Sequence, residues 1–162
     1  MKKLSYMGIG PKIGMTVLPL LAMAILTTVS YRSMFTYFVN SSRILFFTGL
    51  AFVIAGSLIY FFTIPSLLNG LKNTQLITSG TYYLCCNPLY SSVIMFIVPG
   101  VSLMMNSWLI LAVSPVGYVF LKIYIKDEYE EMEGFFGDEF RKYRSETPGF
   151  FPFPFKKIFK RV

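Results

Sequence analysis

The 162-residue sequence contains no histidine. That excludes histidine-based triads, histidine metal sites and a histidine general base. Carboxylates are scarce and confined: Asp127 is the first, and all eight fall in the last 36 residues. Only 14% of residues are charged, against roughly a quarter in a soluble domain. No charge lies between Lys12 and Arg32, between Arg43 and Lys72, or between Lys72 and Lys122. The only two cysteines, Cys85 and Cys86, are adjacent, a spacing unsuited to a structural disulfide or a CxxC zinc site. They read as small apolar residues near a membrane surface, with lipidation of one as the alternative.

What fills the gaps is apolar: 54% of the chain is hydrophobic and 18% aromatic. A hydrocarbon core of about 30 Å is crossed by roughly 20 mostly apolar residues. The spacing predicts four spans, about 14–30, 44–64, 89–105 and 108–125. The expected fold is therefore an all-α integral membrane protein, one membrane domain over 1–162. About four transmembrane helices form a small bundle, followed by a cytosolic helical segment and an aromatic tail. Lys2, Lys3 and Lys12 ahead of the first apolar run, with Ala22-Met23-Ala24 inside it, also fit a signal peptide. The run continues to Ser30 without a polar cleavage region, which favours a retained anchor. Gly49 and Gly56 sit on roughly one face of the second span, where another helix can approach closely. Pro65 is expected to end that span, and Asn106-Ser107 to make a tight antiparallel hairpin of the last two, with Trp108 as an interfacial anchor.

With four spans, the N-terminus, the 66–87 loop and the tail share one side and hold most of the bases, while Arg32 and Arg43 hold the other. The positive-inside rule places both termini in the cytosol. The net charge of +7 is scattered at span ends and termini, so its partners are anionic lipid headgroups rather than nucleic acid. No charge sits at mid-depth in a span, which leaves little support for a channel or transporter.

Two segments carry polar chemistry. In the first, Thr81-Tyr82-Tyr83 leads through Cys85-Cys86-Asn87 to Pro88-Leu89-Tyr90. Pro88 suits the first turn of a helix and Asn87 is a good N-cap, so Asn87 either satisfies backbone N–H groups or faces a ligand. The second segment is the helix leaving the membrane, Tyr118 to Glu133. Its inward stripe is Leu121, Tyr124, Ile125, Glu128 and Met132. Asp127, Glu130, Glu131 and Glu133 read as a solvated face. Glu128 lies on the apolar stripe and needs a partner, either a base of this chain or a cationic ligand. Gly134 is a plausible C-cap, and Asp138 can cap a short helix carrying Arg141, Lys142 and Arg144.

These residues, in this order, resemble a family. Leu76-x-Thr78-Ser79-Gly80-x-Tyr82, Pro88-x-Tyr90, a short helical hairpin, Glu128-x-x-x-Met132, Phe136-Gly137-x-Glu139-Phe140-x-x-Tyr143, then Pro148 and Pro152 are similar to the isoprenylcysteine carboxyl methyltransferases, relatives of the membrane phospholipid methyltransferases. The resemblance covers about residues 70–157. It implies a cofactor, S-adenosylmethionine, held by C-terminal helices under a closing tail, with a lipophilic acceptor arriving from the bilayer. Carried over position by position, Tyr82, Pro88, Tyr90 and Glu128 are retained. The family's Arg-His-Pro motif reads Cys86-Asn87-Pro88 here, and the second residue of its Glu-Glu pair is Tyr129.

The resemblance thus implies a membrane methyltransferase, with carboxyl O-methylation of an isoprenylcysteine-like or other lipophilic acceptor as the reaction. The cofactor-binding residues would be Tyr82, Asn87, Pro88, Tyr90 and Glu128, with Glu128 on the cofactor's amino group. No catalytic base and no metal are implied, since a carboxylate acceptor is already a nucleophile. The alternative is a catalytically degenerate relative serving as a lipid-binding or membrane scaffold protein.

Overall fold

Three of the charge-free stretches become helices longer than the sequence spacing predicts. A computed structural model describes residues 9–37 and 42–150. The N-terminal lysines Lys2 and Lys3, the 151–154 part of the aromatic tail and the terminal bases lie outside those residues. Helix α1 spans Gly10–Ser30, a single turn α2 spans Arg32–Phe35, and α3 spans Ser42–Asn73. Helix α4 spans Pro88–Met104, α5 Trp108–Phe136 and α6 Asp138–Glu146. The described residues are helical throughout, apart from turns, loops and one isolated bridge between Thr36 and Ser107. Helices α1, α3 and α5 are each long and apolar enough to cross a membrane, whereas α4 has 17 residues.

Packing runs in a row rather than around a ring: α3 lies on α4, α4 on α5, and α5 on α1. The α3–α4 contact is the tightest. A Cβ on Gly49 would stand 2.5 Å from the Gly100 carbonyl oxygen, and one on Gly100 would stand 2.7 Å from that of Gly49. Gly56 meets Phe96 and Ile97 in the same way. Small residues let two helices approach where apolar lipid gives no hydrophobic drive for association, so dispersion contacts carry the interface. Just before Pro99, whose ring removes an N–H from the ladder, α4 widens into a π-helical stretch, Ser92–Ile97.

Several boundaries differ from expectation. Helix α3 does not stop at Pro65 but runs on to Asn73. Hydroxyls support the turns around the proline: Thr63 donates to the Ile59 carbonyl (2.6 Å) and Ser66 to that of Phe62 (3.5 Å). Gln75 N–H then closes the helix on the Gly70 carbonyl. Helix α5 runs past Gly134, because the sharp turn into α6 needs a positive φ, and that is supplied by Gly137 at +55°. Asp138 is accordingly the first residue of α6 rather than its cap, and its carboxylate accepts from Arg141 at 3.2 Å.

The hairpin between α4 and α5 forms as the sequence predicts. Asn106 takes a left-handed φ of 52°, Ser107 N–H donates to the Ser102 carbonyl, and Ser102 Oγ donates to the Ser107 carbonyl. Hydroxyl contacts from Thr28 and Tyr37 tie α1 and the following segment to this turn. Trp108 remains half exposed there, its ring beside Phe35.

Gly100→Val is expected to destabilise the protein by about 1–3 kcal/mol through overpacking against Val53 and the Gly49 carbonyl. Gly134→Ala, with nothing within 4 Å of the new methyl, is expected to be neutral or to stabilise by up to about 1 kcal/mol. Thermal unfolding of both variants in detergent checks the pair.

Candidate functional site

Helix α4 begins at Pro88 with Asn87 at φ −129° and ψ 58°, a conformation that turns the chain sharply into the helix. Below that start, α3 and α5 flank α4. Above it they continue without a helix between them, and the space holds an open cleft. Its cavity volume is about 130 Å³. Leu67, Gly70 and Leu71 of α3 form one wall, and Glu128, Tyr129, Met132 and Phe136 of α5 form the opposite one. The floor is Asn87 to Tyr90, and Tyr82, Leu76, Phe140 and Tyr143 close the upper side. All five residues singled out from the sequence, Tyr82, Asn87, Pro88, Tyr90 and Glu128, line this one cleft.

Glu128 sits half-buried on the predicted stripe, between buried Ile125 and half-buried Met132. Its carboxylate accepts from the Tyr90 hydroxyl at 3.4 Å and from the Ile9 backbone N–H at the start of α1. Both donors are neutral. The lysine or arginine partner that the sequence left open is not among the described residues lining the cleft, which include no base. Glu131, expected on a solvated face, also lines the cleft although it is exposed. Two carboxylates therefore border a space whose other walls are mostly aromatic or aliphatic.

Asn87 is not a helix cap; its side chain makes no capping bond to α4. Instead its amide donates to the Tyr129 hydroxyl on α5 and to the Gly149 carbonyl after α6. The neighbouring contacts repeat the pattern. Cys86 N–H donates to the Pro148 carbonyl at 2.8 Å, Cys86 Sγ to that of Thr147 at 3.7 Å, and Ser91 Oγ to that of Phe150. Residues 147–150 thus run as a strap along residues 86–91, with Phe150 buried against Tyr118. A further bond, Tyr143 Oη to the Tyr82 carbonyl (2.7 Å), holds α6 to the loop before α4.

Tyr129 is the residue that sequence reasoning undervalued. It is half-buried, receives Asn87, packs against Phe140 at 5.7 Å and carries the Arg144 guanidinium 4.4 Å above its ring. Its position one step from Glu128 on a helix, next to a face of aromatic residues, was the available signal. Gly70 and Leu67 were missed because the sequence ended α3 too early. Burial, and secondarily the Glu128 charge, pushes the Tyr82 hydroxyl well above the usual tyrosine range, and burial does the same to Tyr143. Both phenols remain proton donors at any physiological pH. Burial likewise raises the Cys85 thiol.

The donor set fits a cationic organic ligand such as S-adenosylmethionine. Among the described residues, a carboxylate met by neutral donors, together with phenols and ring faces, suits a positive centre. No cluster of His, Cys, Asp and Glu suited to a metal occurs among the described residues. Comparison with protein-family models, with curated proteins and with solved structures finds no match to the chain.

Removing one partner of a buried hydrogen bond costs about 1–3 kcal/mol. Asn87→Ala and Tyr129→Phe are therefore expected to loosen the strap and to speed alkylation of Cys86 by N-ethylmaleimide about tenfold. Peptide mass spectrometry over a time course measures it, with fully buried Cys85 as the internal reference.

Proposed function

We propose that the protein is an S-adenosylmethionine-dependent membrane methyltransferase acting on a lipophilic acceptor. The observation that carries this reading is the convergence of Tyr82, Asn87, Pro88, Tyr90 and Glu128, from three separate segments, on one cleft with an apolar flank. Glu128 and the phenols would hold the cofactor. Leu67, Leu71 and Leu89 offer an aliphatic side suited to a prenyl or acyl chain. When bound, the cofactor supplies an electrophilic methyl group: an acceptor carboxylate oxygen forms the new O–CH3 bond with its lone pair as the C–S bond breaks and leaves its electrons on sulfur.

The chain's own work is binding, orientation and exclusion of water. An anionic acceptor needs no base, so a cleft without histidine is sufficient for the displacement. Tyr90 fixes the Glu128 carboxylate, while the Asn87–Tyr129 contact holds α5 against the start of α4 and the strap beside both. The family resemblance adds a tail that closes over the cofactor, and residues 147–150 lead toward it.

In this reading α4 also crosses the bilayer. Its 17 residues rise about 25 Å, at the short end for a core of about 30 Å. Four crossings put Lys72, Arg141, Lys142 and Arg144 on the side of the N-terminus, and the positive-inside rule makes that side the cytosol. Anionic headgroups would then be the partners of the exposed bases, with no role for nucleic acid.

A second reading is a relative that has lost catalysis and serves as a lipid-binding or membrane scaffold protein. The observation favouring it is that the Asn87 amide is already engaged by two partners of the chain itself.

Equilibrium binding of S-adenosylmethionine to the detergent-purified protein separates the two. Binding is expected, and Glu128→Gln is expected to weaken it by about 1.5–3 kcal/mol, the range for a hydrogen bond to a charged group. Absence of binding at millimolar ligand would favour the scaffold.

A further inference from the structure

The charge of the cleft runs against the charge of the chain. Fifteen lysines and arginines outnumber eight carboxylates overall, yet among the described residues the cleft is lined by Glu128 and Glu131 and by no base. Six aromatic side chains also line it: Tyr82, Tyr90, Tyr129, Phe136, Phe140 and Tyr143. Three nearby bases have partners within the chain. Lys12 pairs with Asp127 at 3.9 Å on the exposed surface, Arg141 with Glu133 and Asp138, and Arg144 lies on the Tyr129 ring. That last contact shows a ring of this wall already accepting a delocalised cation.

We propose that the cleft is selective for an onium centre, a sulfonium or quaternary ammonium, over a neutral group of the same shape. An aromatic wall attracts such a cation through the negative faces of its rings and requires no hydrogen-bond donor from it. The half-buried Glu128 carboxylate adds a field that water screens less than it would at the surface. This rests on the cofactor reading above for the name of the ligand, but not for its charge. S-adenosylmethionine and S-adenosylhomocysteine share their nucleoside, amine and carboxylate, and differ by one methyl and one positive charge at sulfur. A site that reads that charge holds the methyl donor and releases the spent thioether. Turnover would then be limited less by product than in a site that reads only the nucleoside.

The test is a set of binding measurements on the full chain in detergent, by displacement and by thermal shift. S-adenosylmethionine is expected to bind at least about tenfold more tightly than S-adenosylhomocysteine. Choline is expected to compete, and its neutral isostere with carbon in place of nitrogen is not. Glu128→Gln should bring the two nucleosides to within about twofold of each other while Tm stays close to that of the parent. Tyr129→Phe, which keeps the ring, should retain the preference. Equal affinity for the two nucleosides, with choline no better than its isostere, would overturn onium selectivity and leave the cofactor reading standing. Discrimination of choline from its isostere with neither nucleoside binding would sustain the selectivity and overturn the cofactor reading. No binding of any cation would overturn the selectivity.

Discussion

The cleft exists because α4 is shorter than its neighbours and its start is fixed. Proline at the first helical position has no N–H to continue a ladder backward, and Asn87 turns the chain away at once. Helices α3 and α5, of 32 and 29 residues, extend well beyond that point. Close packing at Gly49, Gly56 and Gly100 prevents α4 from sliding to fill the gap, since any shift drives a side chain into backbone. The space above Pro88 is therefore a consequence of helix lengths and of one rigid interface. Every candidate residue is positioned by it.

Within that space the electrostatics are one-sided. Among the described residues, Glu128 is met by neutral donors, a phenol and a backbone N–H. Such donors orient a carboxylate without cancelling its charge, so a cation entering the cleft gains what no side chain lining it supplies. The apolar stripe that buries half of Glu128 also keeps water from screening it. A basic chain and an acidic cleft are compatible because the lysines and arginines among the described residues are all exposed.

Two of the three positions where the sequence departs from the motifs of the family it resembles, Asn87 and Tyr129, are partners. Separately each reads as the loss of a charged or titratable group. Together they form a neutral contact that also receives the Gly149 carbonyl, and the Cys86 thiol and N–H extend the same tie to Thr147 and Pro148. This short neutral network ties the strap without burying an ion, which would be costly in this setting. Tyr129 is also the ring on which Arg144 rests.

Much of this was legible from residue types and spacing. Charge-free gaps gave the long helices, the stripe from Leu121 to Met132 gave the buried face of α5, and Gly49 with Gly56 gave the close interface. Those are local or periodic signals, repeated over many residues. The boundaries at Pro65 and Gly134 were misjudged because single breakers yield when hydroxyls or packing support the turn. The choice for Asn87 between capping and facing a ligand stayed open in the sequence because its side-chain partners lie 42 and 62 positions further along the chain. Membrane character and the Glu128 stripe thus follow from the sequence by itself, being set by composition and helical period. The cleft, its charge and the strap were decided only in the tertiary structure. They depend on where one short helix ends between two long ones, and on which distant side chains that ending brings together.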